Sequence, residues 1–386
     1  MATTRFEPLS EVTRVSILHV LGGDAMGGCE RLSIDLAAAY AAQGLTQAVL
    51  FYGAAGSGPA WRAFEALGVT PYRIGYDGKP FHFVWALARL CRQLGVQAVL
   101  THGFGMHLLI AAGARLGGAG RVLALVGNPP PAEPALLRRV RWRAHLARPL
   151  VTREIACSRY VRERMLREYR LPPDRVVVVP NWVRVNEIAR RADEARSARQ
   201  AAIGRGDESA DPVMLMVARL DPIKDHATVI RAMALLQGTN PELRLRLVGD
   251  GSIRKALEAL AAELGLADRV EFLGAREDIP EQLGRADLFV YGTTVDEGFG
   301  IVLAEAMAAG LPIVCTDEGP CAEVLDDGRA GLLVQPGSAE AMAEGLRLTL
   351  SDPHSAEQMV AVALAVSRER YDVKRAGDEI RRIVQT

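Results

Sequence analysis

Short apolar runs, separated by stretches of helical pattern, constrain the fold of this chain more than any other feature. Six come first: VSILHVL (15–21), QAVLFYG (47–53), VQAVLTHG (96–103), RVLALVG (121–127), EIACS (154–158) and RVVVVPN (175–181). They are apolar on both faces, as strands inside a parallel sheet must be. A second six follow: VMLMVARL (213–220), LRLRLVGDG (243–251), VEFLG (270–274), ADLFVYG (286–292), LPIVCTD (311–317) and GLLVQP (331–336). Strands that alternate with helices need a sheet covered on both sides. A chain of 386 residues is also too long for one core. The prediction is an α/β protein with two doubly wound, Rossmann-like parallel-sheet domains facing a central cleft. The first domain is expected over 1–183 and the second over 184–368, with a C-terminal helix over 369–386 crossing back to the first. Residues 188–211 are rich in Arg, Ala, Asp and Glu, which predicts an exposed helix and loop, with a hinge near 180–184. Open α/β sheets bind ligands at strand carboxyl ends, so small-molecule chemistry with domain closure is expected in the cleft.

Charge and cysteine usage narrow the function. Lys plus Arg equals Asp plus Glu at 46 each, so no global field favours nucleic acid, and no nucleic-acid partner is expected. The cysteines are five, an odd number, and none forms a C-x-x-C pair, which suits free thiols in a reducing cytosol. No apolar run reaches the ~18 residues of a spanning helix, and the first is too short for a secretory signal. A cytoplasmic chain is expected.

The segment DEGFGIVLAEAMAAGLP (296–312) carries the chemistry. Its first part follows a strand. Gly298 and Gly300 allow a tight turn, and 301–309 is a run of good helix formers closed by Gly310 and Pro312. The glycines let backbone N–H groups at such a helix start approach an anion closely, and the helix dipole adds to that attraction. A phosphate is the natural guest. Glu297 and Glu305 flank the turn, and a carboxylate beside a phosphate makes sense when it serves sugar hydroxyls of the same ligand. Glu297 would hold a hexose and Glu305 a ribose; the plainer alternative is a capping glutamate and a solvated helix glutamate. A second cationic site lies in VARLDPIKDH, where Arg219 and Lys224 bracket a turn at a strand end. Both suit a diphosphate whose charge grows as it leaves, or else they are surface cations beside Asp221 and Asp225. The sequence holds no D-x-D pair and no His/Cys ligand cluster, so neither metal nor cofactor is expected.

Taken in order, these motifs resemble the family-4 retaining glycosyltransferases of the GT-B fold, which use nucleoside-diphosphate sugars. The resemblance covers nearly the whole chain. It implies that Glu297 contacts the donor hexose, the backbone of 299–302 the phosphates, Glu305 the ribose, and Arg219 with Lys224 the diphosphate. GGDAMGGCERL (22–32) looks like the family's first strand-to-helix loop, with Gly27 and Gly28 approaching donor phosphate and acceptor. LVGDGS (247–252), with Gly249 and Gly251, resembles the turn lining the nucleotide pocket, and GAREDIP (274–280), with Arg276, the loop over the nucleobase. His102 in THGFGMH (101–107) matches a family histidine facing the acceptor or sugar, or it binds a backbone carbonyl. In two places the chain departs from the family. Gly127 stands where many members carry a histidine near the donor sugar, leaving Asn128 as a polar contact, and N-G-x-D after the first domain's last strand becomes Asn181, Trp182, Val183, Arg184.

The resemblance implies transfer of a hexosyl or N-acetylhexosaminyl group, from a UDP-sugar rather than a GDP- or ADP-sugar, to a sugar hydroxyl of a lipid-linked or polysaccharide acceptor, with an α-linked product in cell-surface glycan. Competing expectations are a nucleotide-sugar epimerase, a sugar phosphorylase, and a binding subunit without turnover. LLRRVRWRAHLARPLVTR (136–153) interleaves arginines with leucine and tryptophan, as a surface resting on anionic lipid would, or as a solvated arginine-rich helix or one that contacts a phosphorylated soluble acceptor does. Contact with the inner face of the plasma membrane is therefore an expectation.

Overall fold

The computed structural model describes residues 14–53, 56–102, 105–295 and 297–385. Gly103, Phe104 and Asp296, part of two loops quoted above, lie outside them. The chain forms two compact units: Met1–Cys157 with Arg162–Val179 and Gly377–Thr386, and Ser158–Val161 with Pro180–Ala376.

The first unit is built on seven strands: β1 (Ile17–Leu21), β2 (Gln47–Phe51), β3 (Thr70–Arg73), β4 (Ala98–His102), β5 (Arg121–Val126), β6 (Arg153–Ala156) and β7 (Val176–Val178). They lie in the order β3-β2-β1-β4-β5-β6-β7. All pairs are parallel, and Ile17 of β1 sits opposite Gln47 on one side and Ala98 on the other. Six strands coincide with the expected runs. β3 was not visible as one because TPYR is an edge strand whose residues are exposed or half-buried. An edge needs no two-sided apolar run and tolerates Pro71.

The second unit holds β8 (Val213–Val217), β9 (Arg244–Val248), β10 (Val270–Gly274), β11 (Leu288–Tyr291), β12 (Ile313–Thr316) and β13 (Leu332–Val334), in the order β10-β9-β8-β11-β12-β13, again parallel. All six match the sequence pattern. Strand order reverses beside β8, between β9 and β11, so the loops leaving β8 and β11 emerge side by side. Their backbones are joined there: the Thr294 N–H donates to the Ile223 carbonyl at 3.0 Å and the Thr293 hydroxyl to the same oxygen at 3.1 Å.

The helix expected to be exposed around 188–205 has one buried face. It runs Val185–Arg205 and buries Val185, Ile188, Ala192, Ala195 and Arg199. The partner is the helix Ile279–Gly284, where a Cβ on Gly284 would lie 2.1 Å from the Ala192 carbonyl. Small residues let two helices approach without the bulky side chains that signal a core. The Arg199 guanidinium, only 8% exposed, pairs with Asp287 at 2.8 Å and donates to the Asp211 carbonyl at 2.9 Å.

Candidate functional site

In the second unit, the loop after β8 passes through a single turn of 3-10 helix, Pro222–Lys224, and the loop after β11 carries Glu297. Tyr291, the last residue of β11, is 1% exposed. The sheet thus delivers a lysine, a tyrosine and a glutamate to one place. Lys224 Nζ and the Tyr291 hydroxyl both donate to Glu297 Oε2, and Lys224 Nζ lies 2.8 Å from the Tyr291 oxygen. The ammonium also lies 5.3 Å from the centre of the Tyr291 ring. Glu297 Oε1 turns the other way and accepts from the backbone N–H of Gly298 at 3.0 Å, Gly300 at 3.2 Å and Phe299 at 3.5 Å.

This surrounding decides the charge. Burial alone would raise the Glu297 carboxyl, but the Lys224 charge and the donors around it outweigh burial and hold it below the usual glutamate range. Burial, followed by the Glu297 charge, pushes Tyr291 well above the usual tyrosine range, so its hydroxyl stays protonated and remains a donor. The side chains of Lys224 and Glu297 are only 16% and 12% exposed. A carboxylate in this setting is an ionised acceptor, poised for donors such as sugar hydroxyls.

The turn that places Glu297 is specific. Gly300 is left-handed (φ 78°, ψ 65°) and caps the helix Ile301–Ala308, whose first-turn N–H groups have no partner within the helix. The Phe299 side chain is 2% exposed and packs edge-on against Tyr371, with ring centres 5.2 Å apart. It anchors the turn and leaves its backbone for other work. Ile301 and Val302 are half-buried at the helix start. Glu305, one turn on, is 7% exposed, so it is no solvated helix glutamate.

Several expected residues have different partners in the structure. Arg219 does not join Lys224: its side chain is 75% exposed and pairs with Asp221 at 2.9 Å. Gly249 (φ 140°) is required by its own chain, since a Cβ there would lie 1.9 Å from the Ala218 carbonyl. A Cβ on Gly251 would fall 2.4 Å from the Leu220 carbonyl. Arg276 forms a two-pronged pair with Asp278, at 2.7 and 2.6 Å, and that hydrogen bonding holds the Asp278 carboxyl well below its usual range.

In the first unit, Gly27 precedes the helix Gly28–Ala41 in an extended conformation, and a Cβ there would meet the Glu30 carboxylate at 2.8 Å. His102 ends β4, its Nε2 2.8 Å from the Ser33 hydroxyl. Burial, with His19 nearby, pushes it down to about 3, so it is a neutral ring. Asn128 is exposed, and a Cβ on neighbouring Gly127 would meet nothing within 4 Å.

Sequence reasoning missed three residues. Tyr291 looked like any strand residue, because a tyrosine in a β-run signals packing. Asp225 is left-handed (φ 40°, ψ 40°), and its buried Oδ2 has no partner among the described residues. Beside it, His226 is fully buried, neither ring nitrogen has a partner among the described residues, and burial and then the Lys224 charge push it down to about 4. The only available signal was an aspartate where a turn favours glycine.

Comparison with known proteins decides the family. The family described as "Glycosyltransferase Family 4" matches residues 26–187, and "Glycosyl transferases group 1" matches 203–364. The chain belongs to the family-4, group 1 glycosyltransferases. Among relatives of this family-4 chain, the D-inositol 3-phosphate glycosyltransferase of Streptomyces scabiei is 32% identical over 212 residues, 52% of this chain and 46% of that protein. The chain therefore matches about half of that relative's length. The GDP-mannose-dependent alpha-(1-6)-phosphatidylinositol monomannoside mannosyltransferase of Mycolicibacterium smegmatis is 29% identical over 324 residues, 78% of this chain and 82% of that protein. Among solved structures, Anabaena Alr3699/HepE in complex with UDP and glucose superposes with a TM-score of 0.81 at 21% identity, covering 97% of this chain and all of that one. That likeness gives the fold: GT-B, with two parallel-sheet Rossmann-like domains.

Proposed function

We propose that this chain is a retaining glycosyltransferase that moves a hexosyl or N-acetylhexosaminyl group from a UDP-sugar to a sugar hydroxyl of a lipid-linked or polysaccharide acceptor, without a metal. The observation that carries the proposal is the Lys224–Tyr291–Glu297 cluster against the start of the helix Ile301–Ala308. A nucleoside diphosphate needs a cation and backbone donors, and a hexose needs an ionised acceptor; this cluster supplies all three.

In the reaction, the bond from the sugar's anomeric carbon to the diphosphate oxygen breaks and a bond to the acceptor hydroxyl oxygen forms on the same face. The hydroxyl proton passes to the departing diphosphate. Lys224 and the helix start meet the growing phosphate charge, and Arg219, exposed and paired with Asp221, swings to join them. Glu297 orients the hexose through its hydroxyls, and Tyr291 holds Glu297 in place. Glu305 serves the ribose. The UDP assignment has support in the Anabaena complex with UDP and glucose, while the Mycolicibacterium relative is named for GDP-mannose.

The test is a thermal-shift screen with UDP-, GDP- and ADP-sugars, followed by transfer of the sugar that shifts the unfolding temperature to an extracted glycolipid fraction. We expect one UDP-sugar to stabilise the chain and to yield an α-linked product by NMR. Stabilisation by none of them, or conversion of the sugar nucleotide with no acceptor present, would overturn the proposal.

A further inference from the structure

Charge is unevenly spread in this neutral chain. Residues 80–153 contain ten arginines, no lysine and one acidic residue, Glu133. Glu133 is committed as a helix cap, accepting from the N–H groups of Ala135 and Leu136 at 2.8 and 2.7 Å. The rest of the segment has no carboxylate of its own.

Three helices from this segment cover one face of the first sheet: Pro80–Leu94, His107–Leu116 and Pro134–Ala147. Phe83 and Leu87 of the first, Ile110 and Ala114 of the second and Ala147 of the third share one core cluster with Leu18 and Val20 of β1. The helices Gly28–Ala41 and Pro59–Ala66 pack through Ala37 and Phe64 against Leu21, on the opposite face. The outer sides of the three basic helices therefore look out from the same surface of the unit. Arg92 ties two of them together, its guanidinium donating to the Leu116 carbonyl at 2.9 Å.

That outer surface is aromatic as well as basic. Phe81 is 79% exposed and Trp85 63%, one turn apart on the first helix. Trp142 is 62% exposed and Leu146 43%, one turn apart on the third. Arg89 continues the first stripe, and Arg138 and Arg139 precede Trp142 on the other. Among the described residues these three arginines have no carboxylate partner. Elsewhere, exposed arginines such as Arg190 and Arg347 pair with glutamates on their own helices. Evenly paired charge suits water, whereas unpaired cations interleaved with exposed tryptophans suit a surface that is negative at its rim and apolar just beneath.

We infer that the outer face of the helices Pro80–Leu94 and Pro134–Ala147 docks on an anionic lipid bilayer, with Phe81, Trp85 and Trp142 entering the interface and the arginines meeting lipid phosphates. A single-stranded nucleic acid would also attract cations and aromatics, but it needs a groove that tracks its backbone. These aromatics stand on the outsides of two separate helices, and exposed leucines lie among them, which gain nothing from a nucleotide and much from acyl chains.

Vesicle binding needs no sugar donor, so its failure would leave the proposed reaction standing. The full chain is to be sedimented with phosphatidylcholine vesicles and with vesicles of equal parts phosphatidylcholine and phosphatidylglycerol. We expect binding to the anionic vesicles only, reversed by high salt. The pair Arg138→Gln and Arg139→Gln should weaken it about 25-fold, at about fivefold per cation. Phe81→Ser with Trp85→Ser should also release the chain, and because all four positions are exposed, the thermal unfolding of these variants should match the unaltered chain. Equal binding to neutral vesicles, unchanged binding by both variant pairs, displacement of vesicles by a single-stranded oligonucleotide, or self-association that Trp85→Ser abolishes would each overturn the inference.

Discussion

Replacing Lys224 with methionine removes the cation from a buried ion pair while keeping most of the side-chain volume. Glu297 would then face burial with the Tyr291 hydroxyl and the N–H groups of Gly298, Phe299 and Gly300, but with no opposite charge. Breaking a buried pair from one side costs about 3–5 kcal/mol. The remaining donors and the 12% exposure of the Glu297 side chain place this case near the lower end, about 3 kcal/mol. In a unit of this size that lowers the unfolding temperature by about 6–12 °C. The penalty should depend on pH in a definite direction. In the unaltered chain Glu297 is held below its ordinary 4.5, so its contribution is present above that value and is lost as pH falls through the lower folded value. Without Lys224, burial dominates and raises the carboxyl, so the cost is full at neutral pH and shrinks on acidification as Glu297 takes up a proton. Scanning calorimetry of Lys224→Met, Glu297→Gln and the double variant completes the cycle. The double variant should be less destabilised than the sum of the singles by about 2 kcal/mol. Additive effects, or a penalty that grows towards acid pH, would refute the buried-pair reasoning.

Three further outcomes follow from the structure. Tyr291→Phe removes the hydroxyl shared by Glu297 and Lys224; transfer should slow about tenfold while calorimetric UDP affinity stays within about twofold, because the hydroxyl orients Glu297 and does not meet the phosphates. Gly249→Ala forces a Cβ onto the Ala218 carbonyl and should destabilise by about 3 kcal/mol, whereas Gly127→Ala, with open space around it, should stay within about 0.5 kcal/mol in urea unfolding. Burial pushes His19 from 6.5 down to about 4, so the unfolded chain binds the extra proton between those values, and stability should fall by up to about 3 kcal/mol as pH drops through that window. His19→Gln should flatten that pH dependence in thermal unfolding.

Periodicity made the fold legible. A central strand such as Val213–Val217 is buried on both faces and announces itself as an unbroken apolar run. The edge strand β3 and the buried side of the helix Val185–Arg205 did not, because the first needs one apolar face at most and the second packs through alanine and glycine. Glu297, Lys224 and the turn at Gly300 were legible because their spacing fits a turn and a helix start. What spacing does not encode is partner choice. Arg219, which the sequence offers either as a diphosphate contact or as a surface cation beside Asp221, pairs with Asp221 here, Arg276 pairs with Asp278, and Tyr291 gave no sign that its hydroxyl reaches across to Lys224 of the neighbouring loop. The exposed face of Phe81 and Trp85 also stayed hidden, because an aromatic run at a helix start is indistinguishable from core until the helix is placed.

The most direct measurement is a calorimetric titration of UDP, and in parallel GDP, into the unaltered chain and into Lys224→Met. We expect one of the two nucleotides to bind the unaltered chain and to bind the variant about tenfold more weakly, as loss of one charge-assisted contact to a diphosphate requires. Binding of neither nucleotide, or equal affinity for both proteins, would contradict the assignment of the Lys224–Tyr291–Glu297 cluster to the sugar-nucleotide site.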